Sequence, residues 1–152
     1  MPTAWRIVKS ARASDAFDGE GARIHGGRWS SPGTAIVYTA QSESLAALEL
    51  LVHLQASHLL ASYSSISATF DEALIEVMSP TALPADWRSY PAPAALAQIG
   101  DSWAAERRSA ILQVPSAVVP NEMNFLVNPA HADFARIRIG RARPFEFDPR
   151  LE

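Results

Sequence analysis

The sequence predicts a single mixed α+β domain that spans residues 1–152, and three observations lead to this prediction. The length of 152 residues fits one domain, since domains of about 100–200 residues are typical. Hydrophobic residues make up 48% and charged residues 19%, which is enough for a core and argues against intrinsic disorder. Short strand-like runs and stretches with helical spacing follow one another without repeats or a linker. We therefore expect mainly antiparallel strands with a few helices.

The N-terminal half contains several strand patterns and one helix pattern. Tracts that are β-branched or that alternate apolar and polar residues predict strands at Trp5–Val8, Thr34–Thr39, Ser65–Phe70 and Glu72–Met78. The polar, glycine-rich stretch Ala13–Gly27 has no periodicity and is predicted to be a long loop. Ser42 is a suitable N-cap for a helix that runs to about Ser57, with Glu43 in its first turn.

The C-terminal half is predicted to begin with an irregular segment and to end in short strands. Four prolines between residues 80 and 93 disfavour regular structure there. Ala94–Ile99 and Ser102–Arg108 are predicted to form two short helices separated by Gly100. Beyond them, short apolar or alternating runs predict strands at Ile111–Val114, Ala117–Val119, Phe125–Val127, Arg136–Ile139 and Arg143–Phe147.

Composition excludes several classes of function. The absence of cysteine excludes disulfides, thiolate catalysis and cysteine-based zinc sites, and the histidines lack metal-site spacing, so no metal is expected. A net charge of −3 gives no reason to expect direct nucleic-acid binding. The N-terminus has no secretory signal pattern, and no apolar run reaches the roughly 18 residues that a membrane helix needs. We therefore expect a cytoplasmic protein that does not bind membranes.

A first candidate site lies in the segment Gly26–Gly33. Two glycines ahead of Arg28 let the backbone approach a ligand closely, and the guanidinium can bind a phosphate through two parallel hydrogen bonds. Ser30 and Ser31 add hydroxyl groups that donate and accept hydrogen bonds. The alternative is a tight turn with a solvated arginine, and the segment alone favours this alternative. The Walker and dinucleotide-fold glycine motifs are absent from the sequence.

A second candidate is Glu49, which falls in the middle of an apolar helix face. Leu45, Leu48 and Val52 share this face at spacings of three and four, and the helix is predicted to be well buried. An ionised carboxylate there is costly unless it is paired or faces a cavity. A structural ion pair with an arginine and a functional carboxylate in a cleft are equally good interpretations of this pattern.

Three further polar side chains stand in apolar surroundings. Tyr38 lies near the end of a predicted strand, where it could stack on a ligand ring or fill the core, and the core role is favoured from this residue alone. Ser116 and Asn124 interrupt the apolar series Val114–Pro129. Serine and asparagine often serve turns, but Ser116 lies between apolar residues and is less easily assigned to that role.

Taken together, these segments resemble the RES domain, a family named for its arginine, glutamate and serine. The resemblance follows the order Gly26-Gly27-Arg28-Trp29, a strand ending in a tyrosine, a helix with a central glutamate, and Val114–Pro120. It closes with the motif from Asn124 to Phe134 and covers roughly residues 5 to 147. One departure is Ser30, where the family often has asparagine after the Arg-Trp pair.

The resemblance implies an ADP-ribosyltransferase-like fold and a toxin of a bacterial toxin–antitoxin pair, with a helix-turn-helix antitoxin of the Xre type as partner. It implies NAD as substrate, cleavage of the nicotinamide–ribose bond, and transfer of ADP-ribose to water, phosphate or a protein acceptor. The catalytic residues carried over are Glu49, Arg28 and Tyr38. The substrate-binding residues carried over are Arg28, Ser30, Ser31, Tyr38, Ser116 and Asn124.

On this interpretation each residue has a role. Glu49 stabilises the positive charge that develops on the ribose as the bond breaks. Arg28 holds the diphosphate, Tyr38 packs against nicotinamide or its ribose, and Ser116 binds substrate or orients Glu49. The competing hypothesis is a non-enzymatic binding module in which Arg28 and Glu49 form a buried structural pair.

Overall fold

A computed structural model describes residues 1–54 and 61–151 of the chain. Within these residues, eight strands form one sheet. The strands are β1 (Thr3–Lys9), β2 (Val37–Ala40), β3 (Tyr63–Thr69), β4 (Ile75–Val77), β5 (Ile111–Pro115), β6 (Met123–Val127), β7 (Arg138–Ile139) and β8 (Arg143–Phe145). The described residues contain no helix that is both long enough and apolar enough to cross a membrane.

The strands are ordered β4-β5-β6-β2-β1-β3-β7, and β8 also pairs with β3. Every pairing is antiparallel except that of β4 with β5. The sequence prediction of a mixed, mainly antiparallel α+β fold is therefore confirmed. The pairing of β2 with β6 brings distant parts of the chain side by side at the centre of the sheet, and the candidate site lies there.

Two apolar clusters cover the sheet. Neighbouring residues on a strand point to opposite faces, and Ile111 and Leu112 on β5 belong to different clusters. The cluster that contains Leu112 also contains Trp29, Leu96 and Trp103. Tyr38 packs against this second cluster, so the candidate site shares its face of the sheet with the two buried tryptophans.

Three α-helices are present among the described residues: α1 (Glu20–His25), α2 (Glu43–Leu51) and α3 (Ala94–Glu106). Short 3-10 turns occur at Ser10–Asp15, Glu72–Leu74, Pro80–Ala82, Ala132–Arg136 and Pro149–Leu151. Ser42 caps α2 as predicted, because its hydroxyl accepts a hydrogen bond from the Leu45 amide at 3.1 Å.

The predicted loop over Ala13–Gly27 is wrong, because this stretch contains the end of a 3-10 turn and the whole of α1. None of the residues in α1 is buried, so the helix has no apolar face that periodicity could reveal. Its start is fixed locally instead. The Glu20 amide donates to the Asp18 carboxylate at 2.9 Å, and Gly19 adopts a positive φ of 75°.

The helix predicted from Ser42 to about Ser57 ends earlier, at Leu51, and residues 55–57 lie outside the described residues. The prediction that this helix is well buried is also wrong. Leu45 is buried, but Leu48 is 44% exposed and Val52 is 59% exposed. The apolar side chains of α2 are spread around its circumference, so they do not all face the core. Only the inner side of the helix packs on β1 and β2.

The two short helices predicted around Gly100 form one continuous helix, α3. Gly100 is buried, and a Cβ atom at this position would overlap the carbonyl group of Trp29. The glycine thus allows close packing against the Gly26–Gly33 segment and does not break the helix.

Several strand predictions have different bounds in the structure. Ala117–Val119 is a bend and not a strand, because the amides of Val118 and Val119 bind the Ser116 hydroxyl. The predicted strand at Glu72–Met78 is reduced to β4, which follows a 3-10 turn. The strands predicted to start at Thr34 and Arg136 start at Val37 and Arg138.

Candidate active site

The site is assembled where β2 and β6 pair at the centre of the sheet. Tyr38 lies opposite Leu126 and Ala40 lies opposite Asn124, so the alternation of side chains places Tyr38 and Asn124 on one face. Helix α2 follows β2 directly and packs back onto it. This turn in the chain brings Glu49 over the end of β2.

The Glu49 carboxylate is held by one hydrogen bond to each oxygen. Asn124 donates from Nδ2 to Oε2 at 2.6 Å, and the Ser116 hydroxyl donates to Oε1 at 3.3 Å. The Ser116 oxygen itself accepts from the amides of Val118 and Val119, each at 3.1 Å. A hydroxyl has one hydrogen and two acceptor lone pairs. Because the two amides occupy the lone pairs, the hydrogen is left to point towards Glu49.

The environment of Glu49 pulls its pKa in opposite directions. Burial raises the pKa of this carboxyl above its ordinary value, and this is the largest effect. The hydrogen bonds from Asn124 and Ser116 lower the pKa, and so does the positive charge of Arg28. The carboxylate is thus poorly solvated, and its charged form depends on these three neighbours.

Arg28 lies near Glu49 but does not pair with it. Its Nη1 donates to the carbonyl oxygens of Trp87 and Ser89, at 3.0 and 3.1 Å. None of the ion pairs within 4.0 Å among the described residues joins Arg28 to Glu49. The arrangement does not match a buried structural Arg28–Glu49 pair, which was the basis of the non-enzymatic hypothesis.

Tyr38 fixes the Gly26–Gly33 segment to the sheet. Its hydroxyl lies 2.7 Å from the Ser30 hydroxyl and accepts from the Trp29 amide at 3.0 Å. A Cβ atom at Gly27 would lie 2.6 Å from this hydroxyl, so the approach requires a glycine. Burial raises the pKa of Tyr38, and the phenol therefore stays neutral at neutral pH.

Asp101 was not predicted from the sequence, although it adjoins the site. One of its carboxylate oxygens accepts a hydrogen bond from the Ser31 amide at 3.0 Å, and its charge raises the pKa of Tyr38. Ser31 thus contributes its backbone amide to this contact. An aspartate in the middle of a helix carries no local signal for such a role, because the contact joins residues 70 positions apart.

The structure places most of the predicted residues in two groups, and hydrogen bonds join the members of each group. Glu49, Ser116 and Asn124 are hydrogen bonded together, and Tyr38 is bonded to Ser30. Arg28 lowers the pKa of both Glu49 and Tyr38, so it lies close to both groups. Within the described part of the chain, no cluster of three or more histidine, cysteine or acidic side chains could hold a metal ion.

The protein is thus an α+β domain with one mainly antiparallel sheet. Its candidate site holds a carboxylate and an arginine that lie near each other but do not form an ion pair.

Comparison with known proteins identifies the family. The RES domain model matches residues 3–148. The chain is 44% identical to the Prs ADP-ribosylating toxin of Sphingobium sp. (strain YBL2), covering 97% of this chain and 94% of that protein. It is 40% identical to Toxin Res of Yersinia enterocolitica, covering 97% and 98%. The chain belongs to the RES domain family.

A solved structure confirms the fold. The structure is the M. tuberculosis MbcT-MbcA toxin-antitoxin complex, matched with a TM-score of 0.80 at 20% sequence identity. The match covers 95% of this chain and 84% of the matched chain. The fold expected from the RES resemblance is therefore the one observed.

Proposed function

We propose that this chain is the toxin of a bacterial toxin–antitoxin pair and that it cleaves the nicotinamide–ribose bond of NAD. The observation that carries the proposal is the Glu49 carboxylate, held by Asn124 and Ser116 and left unpaired beside Arg28. Family membership and the name of the Sphingobium relative, an ADP-ribosylating toxin, support the choice of NAD. The proposed unit is a single domain over residues 1–152 that acts in the cytoplasm.

The chemistry of this bond suits a site with one preorganised carboxylate. Nicotinamide is already a cationic leaving group, so no acid is needed to protonate it. Positive charge develops on the ribose as the bond breaks, as it does in glycoside hydrolysis. Glu49 stabilises this charge and can bind a ribose hydroxyl. A carboxylate fixed before the reaction is effective because the site does not reorganise during the step.

The neighbouring residues bind and orient the dinucleotide. Arg28 has guanidinium donors beyond the Nη1 group that binds the two carbonyls, and we assign these donors to the NAD diphosphate. Tyr38 packs against nicotinamide or its ribose, with Ser30 and Ser31 on the segment that it anchors. Ser116 and Asn124 orient Glu49, and Asn124 is itself fixed by the Thr39 carbonyl at 3.2 Å.

Three molecules could accept ADP-ribose in this reaction: water, phosphate and a protein side chain. The Sphingobium relative is named for ADP-ribosylating Prs, which supports a protein acceptor. We therefore propose mono-ADP-ribosylation of a protein as the physiological outcome. NAD hydrolysis or phosphorolysis is the outcome of the same bond cleavage when no protein acceptor is bound.

Mass spectrometry of the products tests the proposed reaction. Purified protein is incubated with NAD in buffer, in phosphate and with cell lysate, and all three reactions should release nicotinamide. The lysate should additionally yield a protein that gains one ADP-ribose. If nicotinamide is not released under any of the three conditions, the proposed enzymatic function is wrong.

The proposed partner is an antitoxin of the Xre type with a helix-turn-helix. An enzyme that destroys a central cofactor requires restraint, and the matched solved structure is a toxin-antitoxin complex. Direct binding to nucleic acid or membrane is not part of the proposed function. NAD and the acceptor are its ligands, and no metal is required by the chemistry.

A further inference from the structure

Arg6 on β1 is a poorly solvated arginine that has no part in the bond cleavage described above. Burial lowers the pKa of its guanidinium, and the charge of Asp18 raises it. None of the ion pairs within 4.0 Å among the described residues includes Arg6. A desolvated charge without a close counter-ion costs stability, and this cost is offset only by the groups that the guanidinium binds.

The guanidinium binds two backbone carbonyl groups from separate parts of the chain. Its Nε donates to the Ala16 carbonyl at 2.8 Å, and its Nη1 donates to the Tyr38 carbonyl at 2.9 Å. Ala16 lies ahead of α1 and of the Gly26–Gly33 segment, whereas Tyr38 lies on β2. One side chain thus joins the strand that carries Tyr38 to the part of the chain that leads to Arg28.

The bond to Tyr38 occurs where β1 and β2 have little backbone pairing. These two strands are matched at a single residue pair, Trp5 with Ala40, whereas β2 and β6 are matched at four pairs. The Tyr38 carbonyl lies two residues before Ala40 and is bound to β1 through the Arg6 side chain. The position of this part of β2 relative to β1 therefore depends on Arg6.

The side chain of Arg6 and the ring of Tyr38 lie on opposite faces of the sheet. Arg6 is opposite Ile66 on β3, and Ile66 belongs to the apolar cluster that contains Ile111. Cross-strand partners share a face, so Arg6 lies on the face of this cluster. Tyr38 packs against the other cluster. The influence of Arg6 on a bound substrate therefore passes through the backbone of Tyr38.

The Tyr38 hydroxyl extends this positioning to the residue that holds the proposed diphosphate site. It accepts a hydrogen bond from the Trp29 amide at 3.0 Å. Trp29 directly follows Arg28 in the chain. A shift of β2 at Tyr38 would therefore also move Arg28.

We infer that Arg6 is a positioning residue, which fixes Tyr38 relative to β1 and, through the Tyr38 hydroxyl, fixes Arg28 beside Glu49. The inference rests on the proposed function, because that function gives Tyr38 and Arg28 their roles in NAD cleavage. The contacts that carry the inference do not depend on the reaction, so they can be tested separately from it.

Hydrogen exchange of the Trp29 amide tests the inference without requiring turnover. Arg6→Lys keeps the charge but loses the planar fork that reaches two carbonyl groups, so exchange of this amide should be about tenfold or more faster than in the parent. Amides of the β5–β6 ladder should keep the parent rate. Arg12→Lys, at an exposed arginine on the neighbouring 3-10 turn, is the control and should change neither.

The same measurement in Tyr38→Phe separates positioning from a general loss of stability. Without the hydroxyl, the Trp29 amide has already lost its partner. Adding Arg6→Lys to Tyr38→Phe should therefore accelerate exchange of the Trp29 amide by less than about twofold, since the two substitutions act through one contact.

Arg6→Lys should also lower kcat for nicotinamide release about tenfold or more, because small misplacements of catalytic groups are costly. Ile137→Val is the stability control. It shortens a buried side chain in the cluster that contains Ile111, so it should lower the denaturant midpoint of unfolding and leave nicotinamide release at the parent rate.

Three results would overturn the inference: unchanged Trp29 exchange in Arg6→Lys, equal acceleration by Arg6→Lys in the parent and in Tyr38→Phe, or a parent rate of nicotinamide release by Arg6→Lys. If Arg6→Lys does not fold, Arg6→Gln, which removes the desolvated charge, takes its place with the same expectations. Faster Trp29 exchange in the variant, with no nicotinamide release by the parent, contradicts only the proposed reaction. Nicotinamide release by the parent, with unchanged Trp29 exchange in the variant, contradicts only the role of Arg6.

Discussion

At the scale of single residues, the proposed function requires Glu49 to be ionised in a poorly solvated place. Burial favours the neutral acid, and the donors Asn124 and Ser116 together with the charge of Arg28 favour the anion. Arg28 is prevented from collapsing onto the carboxylate because two backbone carbonyls hold it. The two charges are thereby held apart in the structure, and in the proposed function each binds a different part of NAD.

Asn124→Ala should move the acid limb of the pH–activity profile to higher pH. In the proposed mechanism the parent requires ionised Glu49, so its activity should rise as the pH passes the Glu49 pKa, which burial raises above the ordinary value of a glutamate. Loss of the Asn124 donor removes a contact that lowers this pKa. The pH dependence of kcat/KM for nicotinamide release measures the shift, and Asn121→Ala, an exposed asparagine, is the control. An acid limb that stays in place would mean that Glu49 does not control the rate.

The sequence was enough to select candidate site residues, but it did not reveal which residues contact one another. Glu49 stood out because a carboxylate interrupted an apolar helix face, and Arg28 because two glycines preceded it. Asp101 was missed because its contact with the Ser31 amide spans 70 positions. Such a contact arises from tertiary packing, and the residue has no distinctive local pattern.

At the scale of elements, α3 holds the Gly26–Gly33 segment in place. Gly100 allows the helix to touch the Trp29 carbonyl, and Asp101 accepts from the Ser31 amide one residue later. The sequence predicted a break at Gly100 because glycine usually weakens a helix. The opposite error occurred at α1, where a helix without an apolar face was predicted to be a loop. Tertiary packing keeps α3 continuous at Gly100, and local contacts fix the start of α1. The spacing of apolar residues predicted neither feature.

Gly100→Ala should destabilise the fold by at least about 2 kcal/mol, because the new methyl group overlaps the Trp29 carbonyl in a packed region. Gly21→Ala is the matched control, since it also lies in a helix but a Cβ atom there has no neighbour within 4 Å. That substitution should be neutral or stabilising. Denaturant unfolding of both variants measures the difference, and equal stabilities would contradict the close packing of α3.

At the scale of the whole molecule, antiparallel pairing gathers residues from the full length of the chain at one place. Residues 28, 38 and 49 come from the first third of the sequence, and β6 brings residue 124 beside them. The sequence predicted the fold class correctly, but strand order and register depend on long-range pairing that no local pattern encodes. The resemblance to the RES domain supplied the expected fold, whereas the strand order and register come from the structure.

We expect the proposed antitoxin to bind over the candidate site. A partner segment that covers Gly26–Gly33, or that directs an acidic group towards Arg28, would exclude NAD by competing for the same guanidinium. Hydrogen exchange of the complex should therefore show protection across residues 20–33 and near Ser116. Unchanged exchange in both regions, with NAD still bound normally by the complex, would rule out steric blockade.

Nicotinamide release by Glu49→Gln tests the central claim most directly. The ionised carboxylate is destabilised by burial, as its raised pKa indicates. An acid with a raised pKa lends the fold stability that is present at low pH and lost as the pH rises through that value. Glutamine removes the buried charge, but its amide group must face one of the two donors, Asn124 or Ser116, so denaturant unfolding should first establish that the variant folds. Nicotinamide release should nevertheless fall by orders of magnitude, about 100-fold or more. A folded Glu49→Gln variant that releases nicotinamide at the parent rate would contradict the account.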